Sequence, residues 1–356
     1  MTKSNRFRRI MAGLMIACAL VMGGCSAQPE NGSAPQTQAA QPTDAPKILE
    51  KDTRSAQYFD TAVVITLYDA PEGLMDDMMA ACAFYENLLS RTVVGSDVDR
   101  INKANGQTVT VHPETWAILA RAKEISRETG GAFSITIAPI STMWDFTGGT
   151  MRMPTDEERI AALPLVNDEL IVLGDNYTVT MPAGMMIDLG GIAKGYIADS
   201  LAAMARGKVS GGILNFGGNV YLIGHKPDGS EFRTGIADPT KASSYVAIVT
   251  LTDKSVVTSG TYERYFIRDG VKYHHILDPQ TGLPADTDLA GATIILESSM
   301  DADAYATACI VFGREKALIF LNEHNLDGML IDNDNNIWVT ADLADQYPVT
   351  LVESGK

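Results

Sequence analysis

Cysteine is scarce in this 356-residue chain. There are four, Cys18, Cys25, Cys82 and Cys309, with no CxxC pair and no zinc-type spacing. A disulfide-stapled small fold and a cysteine-ligated zinc site are therefore not expected. Positive charge is short too: 28 Lys and Arg stand against 44 Asp and Glu, a formal net charge of −16. Such a chain lacks the basic face that binding to nucleic acid requires, so no nucleic-acid partner is expected. The apolar run Ile10–Gly24 has 15 residues, short of the ~20 of a membrane span. No repeat at a fixed period is visible. What is present is an ordinary globular composition, 46% apolar and 20% charged, enough for one or two domains with a real core.

The charge is uneven. Lys3, Arg6, Arg8 and Arg9 precede the apolar run, the order of a secretory signal's n- and h-regions. The run ends in Met22-Gly23-Gly24-Cys25, which resembles a bacterial lipobox. That resemblance implies that Cys25 is lipidated and becomes the mature N-terminus; the other reading is an uncleaved N-terminal anchor. Both predict an extracytoplasmic protein at the cell membrane or facing the periplasm, touching the membrane through its anchor alone. Removing residues 1–24 takes away four positive charges and no acid, so −16 becomes −20. Ser26 to Pro46 is rich in Gln, Ala, Pro, Ser and Thr and reads as a flexible stalk. The expected organisation is a signal over 1–24, a lipidated cysteine and linker over 25–54, and a folded domain over 55–350.

Within that domain, Tyr58–Tyr68 reads as a strand and Pro71–Leu89 as a helix. Ser96-Asp97 caps a short helix through Asn102, and His112–Glu128 is a helix stopped by Gly130-Gly131. Leu170–Leu173 and Tyr177–Met181 form a hairpin. Gly191–Ala205 is helical, Gly212–Leu296 mostly strands and turns, and Ser299–Phe312 and Arg314–His324 two helices, with short strands at Met329–Ile331 and Ile337–Val339. The mixture predicts an α+β fold with mainly antiparallel sheet and flanking helices, as one body or as two lobes around a cleft. Cys82 and Cys309 sit in apolar helical patterns and read as small buried hydrophobes, with a disulfide between them as the other reading in an extracytoplasmic compartment.

Four segments carry chemistry. Ile187-Asp188-Leu189-Gly190-Gly191-Ile192-Ala193-Lys194-Gly195 reads as a strand ending in an acid, a glycine turn and a helix start, where free N–H groups and a first-turn lysine attract phosphate; a plain strand–turn–helix reads equally simply. Asn215-Phe216-Gly217-Gly218-Asn219 reads as a bulge in a strand. Thr258-Ser259-Gly260-Thr261-Tyr262-Glu263-Arg264, followed by His274-His275-Ile276-Leu277-Asp278-Pro279-Gln280-Thr281-Gly282, offers His275 as a general base; its histidines could instead satisfy local turns. On a helix Asp303 and Thr307 share a face, and an acid with a hydroxyl suits a hard cation such as Mg²⁺; Asp303 as a simple capping acid is the plainer reading.

In their order and spacing, together with Tyr58-Phe59-Asp60-Thr61, Gly131-Ala132-Phe133-Ser134-Ile135-Thr136 and Ala302-Asp303-Ala304-Tyr305-Ala306-Thr307-Ala308, these segments closely resemble the ApbE family of FAD:protein FMN transferases. The resemblance runs from about Tyr58 to Trp338. It implies Mg²⁺ held by Asp303, Thr307 and the backbone carbonyl of Gly191. It implies FAD as substrate, contacted by Phe59, Ala132, Phe133, Ser134, Asp188, Lys194 and the main chain of Leu277. The family pattern usually has Asp at the Ser134 position, so this contact departs from what the resemblance implies. The implied reaction transfers FMN to a Ser or Thr hydroxyl of an extracytoplasmic acceptor flavoprotein and releases AMP. His275 is the candidate base, with Asp303 and Asp278 as rivals. A Mg²⁺-dependent FAD pyrophosphatase and a non-catalytic flavin-binding lipoprotein are the alternatives.

Overall fold

A computed structural model describes residues 50–147 and 149–352; the signal, Cys25 and the stalk through Pro46 lie outside the described residues. Along the chain run strands β1 (Lys51–Tyr58) and β2 (Thr61–Tyr68), helices α1 (Leu74–Leu89) and α2 (Asp97–Lys103), strand β3 (Val109–Thr110), helices α3 (Pro113–Glu128), α4 (Ala138–Ser141) and α5 (Asp156–Ala162), strands β4 (Val172–Gly174) and β5 (Thr178–Thr180), and helix α6 (Ala193–Ala205). Next come β6 (Gly211–Phe216), β7 (Asn219–Gly224), β8 (Phe232–Ala237), β9 (Tyr245–Leu251), β10 (Ser255–Gly260), β11 (Tyr265–Arg268), β12 (Val271–His274) and β13 (Leu289–Leu296). Helix α7 (Ser299–Glu323), β14 (Asp327–Asp332), β15 (Ile337–Val339), α8 (Leu343–Gln346) and β16 (Val349–Leu351) follow.

Eight strands form one sheet in the order β1-β2-β6-β7-β10-β13-β14-β15, with every neighbouring pair antiparallel. Its inner strands are apolar at successive positions because both faces are covered, and alternate residues go to opposite sides. Leu214, Phe216, Tyr221, Ile223, Val257, Ile294 and Leu330 join a core with α1, α6 and α7. Leu222, Val256, Ile295, Met329 and Ile331 instead join Phe232, Ile236, Val246, Val249 and Leu251 of a three-stranded sheet, β16-β9-β8. A third, smaller core of Ile140, Trp144, Ala162, Phe266 and Leu277 ties α4 and α5 to the β11–β12 hairpin. The fold is thus α+β and mainly antiparallel. The described residues form one compact unit, so any cleft lies within one body.

Three local readings change. Tyr58–Tyr68 is not one strand but the corner of a hairpin. Phe59 and Asp60 take φ of 57° and 56°, the two-residue turn with positive φ at both positions that joins antiparallel strands. The first strand opens at Lys51, four residues ahead of the 55 expected. The stretch before α6 is not a strand: it is extended chain held by a side chain, since Asn102 donates to the Ile187 carbonyl at 2.9 Å and accepts from the Ile187 N–H at 2.7 Å. A lone Asn thus satisfies both backbone groups that a neighbouring strand would otherwise pair. The break expected between the last two long helices is present at Gly313, at φ 71° and ψ 168° within α7. Cys82 and Cys309 are buried free thiols.

Candidate active site

A cavity of about 1100 Å³ opens beside the helix layer, and Phe59, Ala132, Phe133, Ser134, Asp188, Gly191, Lys194, His275, Leu277, Asp303 and Thr307 all line it. The volume exceeds the roughly 300–1,000 Å³ usual for small-molecule pockets and suits a ligand of dinucleotide size. Every expected site residue within the described chain therefore reaches one space; Cys25 lies outside it.

The packing of α6 on α7 assembles the polar wall. Gly195 comes so close that a Cβ there would lie 2.2 Å from the Ser299 carbonyl oxygen. Asp199 of α6 accepts from the N–H groups of Ser299 at 2.8 Å and Met300 at 3.0 Å, capping α7 from its neighbour. One turn on, Asp303 is 3% exposed and accepts from the Gly195 N–H at 3.2 Å. Lys194, in the first turn of α6, donates to the Gly190 carbonyl at 2.8 Å and stands 3.4 Å from both Asp303 oxygens. Thr307 donates to the Asp303 carbonyl at 3.2 Å and lies 3.3 Å from the Ser259 hydroxyl. A Cβ on Gly191 would sit 3.3 Å from Phe133 and 3.5 Å from the Thr307 hydroxyl, so the glycine turn and α7 meet here.

Among the described residues no three His, Cys, Asp or Glu side chains gather as a metal site. The donor set of Asp303, Thr307 and the Gly191 carbonyl is nonetheless all oxygen with a single buried anion. It fits a hard divalent cation that keeps water and phosphate oxygens as its other ligands.

Asp188 is not a free acid. Its Oδ2 accepts from Arg91 Nε at 2.8 Å and its Oδ1 from the Gly190 N–H at 2.8 Å. Ser134 likewise is engaged by the protein: it donates to Asp168 at 2.6 Å and accepts from the Thr136 N–H at 3.2 Å. Asp168, 4% exposed, also takes the N–H groups of Ile135 at 3.1 Å and Thr136 at 3.0 Å. A carboxylate thus stands behind the Ser134 position, supplied from elsewhere in the chain. Phe59 is held at its positive φ by the N–H it donates to Glu86 at 2.9 Å. Bulky residues occupy that conformation at a cost, and such strain collects where side chains must be aimed.

The two histidines differ. His274 Nε2 lies 3.2 Å from the Ala285 carbonyl, the local turn bond that was its plainer reading. The Nδ1 atoms of both histidines are buried with no partner among the described residues; what sets His275 apart is that it lines the cavity and His274 does not. Burial, with Arg264 nearby, pulls the His275 imidazole down to about 3, so the ring is neutral. The rival Asp278 serves a turn, accepting from the Gln280 N–H at 2.9 Å. Burial likewise pulls His274 down to about 4. Between that value and the ordinary 6.5 the unfolded chain binds a proton there that the folded chain does not. Stability should therefore fall with falling pH by ~1.4 kcal/mol per unit from this group. Asp199, pushed up to about 6 by burial, acts in the opposite direction, so the test is a difference. His274→Gln keeps a donor and removes the titration, and denaturant melts between about pH 6 and pH 4 should show a slope shallower by roughly that amount. Parallel curves for the two proteins would reject the assignment.

Sequence reasoning missed Arg91, Asp168 and Asn219. Asn219, 1% exposed, accepts from Ser299 at 2.7 Å while its Nδ2 has no partner among the described residues; it lay inside a quoted segment but read as bulge chemistry. Glu263 also lines the cavity. It is open to that space yet ringed by protein, and the loss of solvation raises its pKa. Arg91 and Asp168 lie outside every quoted segment, and nothing local marks them.

A deep cavity whose wall combines a buried acid, a lysine at a helix start and a glycine turn defines a site for a phosphate-bearing ligand of nucleotide type. The chain belongs to the ApbE family, whose model matches residues 59–330. Among curated relatives it is 34% identical over 265 residues to a FAD:protein FMN transferase of Treponema pallidum, covering 69% of this chain and 73% of that one. It is 33% identical over 290 residues to one of Klebsiella pneumoniae, covering 80% and 90%. Among solved structures it resembles the ApbE protein of Thermotoga maritima at a TM-score of 0.77 and 30% identity, covering 83% of this chain and 98% of that one. It also resembles the apo flavinyl transferase ApbE of Pseudomonas stutzeri at 0.75 and 26%, covering 86% and 98%.

Proposed function

We propose that this enzyme transfers the FMN half of FAD to a Ser or Thr hydroxyl of an acceptor flavoprotein, forming a phosphodiester link and releasing AMP. The observation that carries this reading is the convergence of Lys194, Asp303 and Thr307 on one wall of a dinucleotide-sized cavity, in a chain whose relatives bear that enzyme name. The hydroxyl oxygen bonds to the FMN-side phosphorus, the bond from that phosphorus to the bridging oxygen breaks, and the hydroxyl proton passes to a base as AMP leaves.

Phe59, Ala132, Phe133 and the main chain of Leu277 hold the flavin and adenosine parts. Lys194 brings a positive charge to the phosphates of an anionic substrate in an acidic protein. Asp188, fixed by Arg91, orients the glycine turn against the ligand. Neutral His275 accepts the hydroxyl proton; Asp303 is already engaged by Gly195 and Lys194. Mg²⁺ would be held by Asp303, Thr307 and the Gly191 carbonyl, and when bound it supplies positive charge against the phosphates and the departing AMP.

One assay tests the reading: FAD, Mg²⁺ and an acceptor protein, with AMP release and in-gel flavin fluorescence followed together. AMP with a labelled acceptor is expected. AMP with free FMN would make the enzyme a hydrolase, and absence of AMP would leave a flavin binder. EDTA should abolish FAD binding. His275→Ala should slow transfer by about 10²–10⁴; an unchanged rate at saturating FAD removes it as base. The leader and Met22-Gly23-Gly24-Cys25 support an extracytoplasmic enzyme anchored by lipid at Cys25. Partition into detergent should accordingly be lost in Cys25→Ser, and unchanged partition would refute the anchor.

A further inference from the structure

The cavity does not end at the polar wall. It continues between the two sheets, where Ile213, Val220 and Val256 of the large sheet line it together with Arg233, Thr234 and Gly235 of β8. Side chains of a strand alternate between its two faces, so one face alone would contribute every second residue. Three consecutive residues at the wall mean that the edge of β8 itself borders the space. That edge is free. Strand β8 is terminal in the order β16-β9-β8, and among the described residues no backbone group of Phe232–Ala237 bonds outside its ladder with β9. Natural sheets generally cover, shorten or charge such edges, because a bare one recruits another strand.

Transfer needs a second substrate, and its hydroxyl must reach a cavity sunk between layers. A strand added at the edge of β8 lies in the plane of that sheet and needs only the ~4.8 Å spacing of neighbouring strands, about half the ~10 Å width of a helix. The face of Gly235 is already covered, since a Cβ there would lie 2.4 Å from the Tyr245 ring, so β8 offers a partner its backbone edge and not a side-chain pocket at 235. We propose that the acceptor protein docks by strand addition: an extended segment carrying the Ser or Thr pairs with the free edge of β8 and presents its hydroxyl to the phosphate wall. This inference rests on the transferase reading above. Affinity then comes from main-chain hydrogen bonds, and alternate side chains of the segment face the cavity.

The test uses a pool of synthetic ten-residue peptides, each with one central Thr and varied flanks, incubated with enzyme, FAD and Mg²⁺. The peptide labelled fastest is then remade with single N-methyl amides along its length. Strand addition predicts a period of two: methylation of every second amide near the Thr lowers labelling about tenfold or more, since each such change removes a strand hydrogen bond and adds a clash. The amides between should stay within about twofold. Labelling that is insensitive, or sensitive without alternation, overturns the docking mode and leaves the transferase reading intact. AMP release with no peptide labelled overturns it too, and assigns hydrolysis. No AMP with peptide or with acceptor protein removes the transferase reading itself and this inference with it.

Discussion

Asp303→Asn is expected to slow AMP release from FAD by about 10³-fold, the range seen when one preorganised electrostatic group is removed from a buried site, without unfolding the protein. Asp303 is 3% exposed. Its oxygens accept from the Gly195 N–H at 3.2 Å and stand 3.4 Å from the Lys194 ammonium. An Asn side chain has the same shape and can still accept from Gly195, so the α6–α7 junction survives. What disappears is the charge, which balances Lys194 and, in the proposed role, helps to hold a divalent cation. A circular dichroism melt should overlay that of the parent while AMP release collapses. A variant that keeps more than about a tenth of the parent rate would remove Asp303 from the catalytic wall.

Gly195→Ala should destabilise the protein by about 3 kcal/mol, lowering Tm by several degrees. Local reasoning gives the opposite sign, because Ala is favoured over Gly inside a helix by ~1 kcal/mol. The structure reverses it. A Cβ at 195 would lie 2.2 Å from the Ser299 oxygen, 2.5 Å from the Ser299 carbon and 2.6 Å from the Met300 Cα. All three are backbone atoms and cannot rotate away, so α6 and α7 would have to part. Parting them pulls Asp199 from the N–H groups of Ser299 and Met300 and Gly195 from Asp303. FAD affinity should therefore fall along with stability. A thermal melt at or above the parent Tm would show that the junction is looser than described.

The two predictions draw on different kinds of information. Asp303 and Thr307 stand four residues apart, and helical periodicity alone puts them on one face. Gly195 is marked in the sequence only as part of a glycine-bearing segment; its role depends on a residue far along the chain. The same division runs through the site. His112 at the start of α3, Ser96 at the start of α2 and the break at Gly313 were legible because caps and breakers act within a few residues. The Phe59-Asp60 turn was not, since neither residue belongs to the Gly and Asn pairs that signal positive φ at two successive positions. The extended chain before α6 read as a strand because its pattern is that of a strand; its partner is the side chain of Asn102.

The sequence by itself determined where most helices and strands lie and which short segments carry phosphate and cation chemistry. Periodicity, capping and glycine turns are short-range effects, written in neighbouring residues. The tertiary structure alone decided that Lys194 meets Asp303 across 109 residues and that Arg91 fixes Asp188 across 97. It also turned Ser134 inward onto Asp168 and, among the described residues, left the edge of β8 without a strand partner beside the cavity. These outcomes follow from sheet order and from the close approach of α6 to α7. No local pattern encodes such contacts, because they depend on which distant surfaces the whole core brings together.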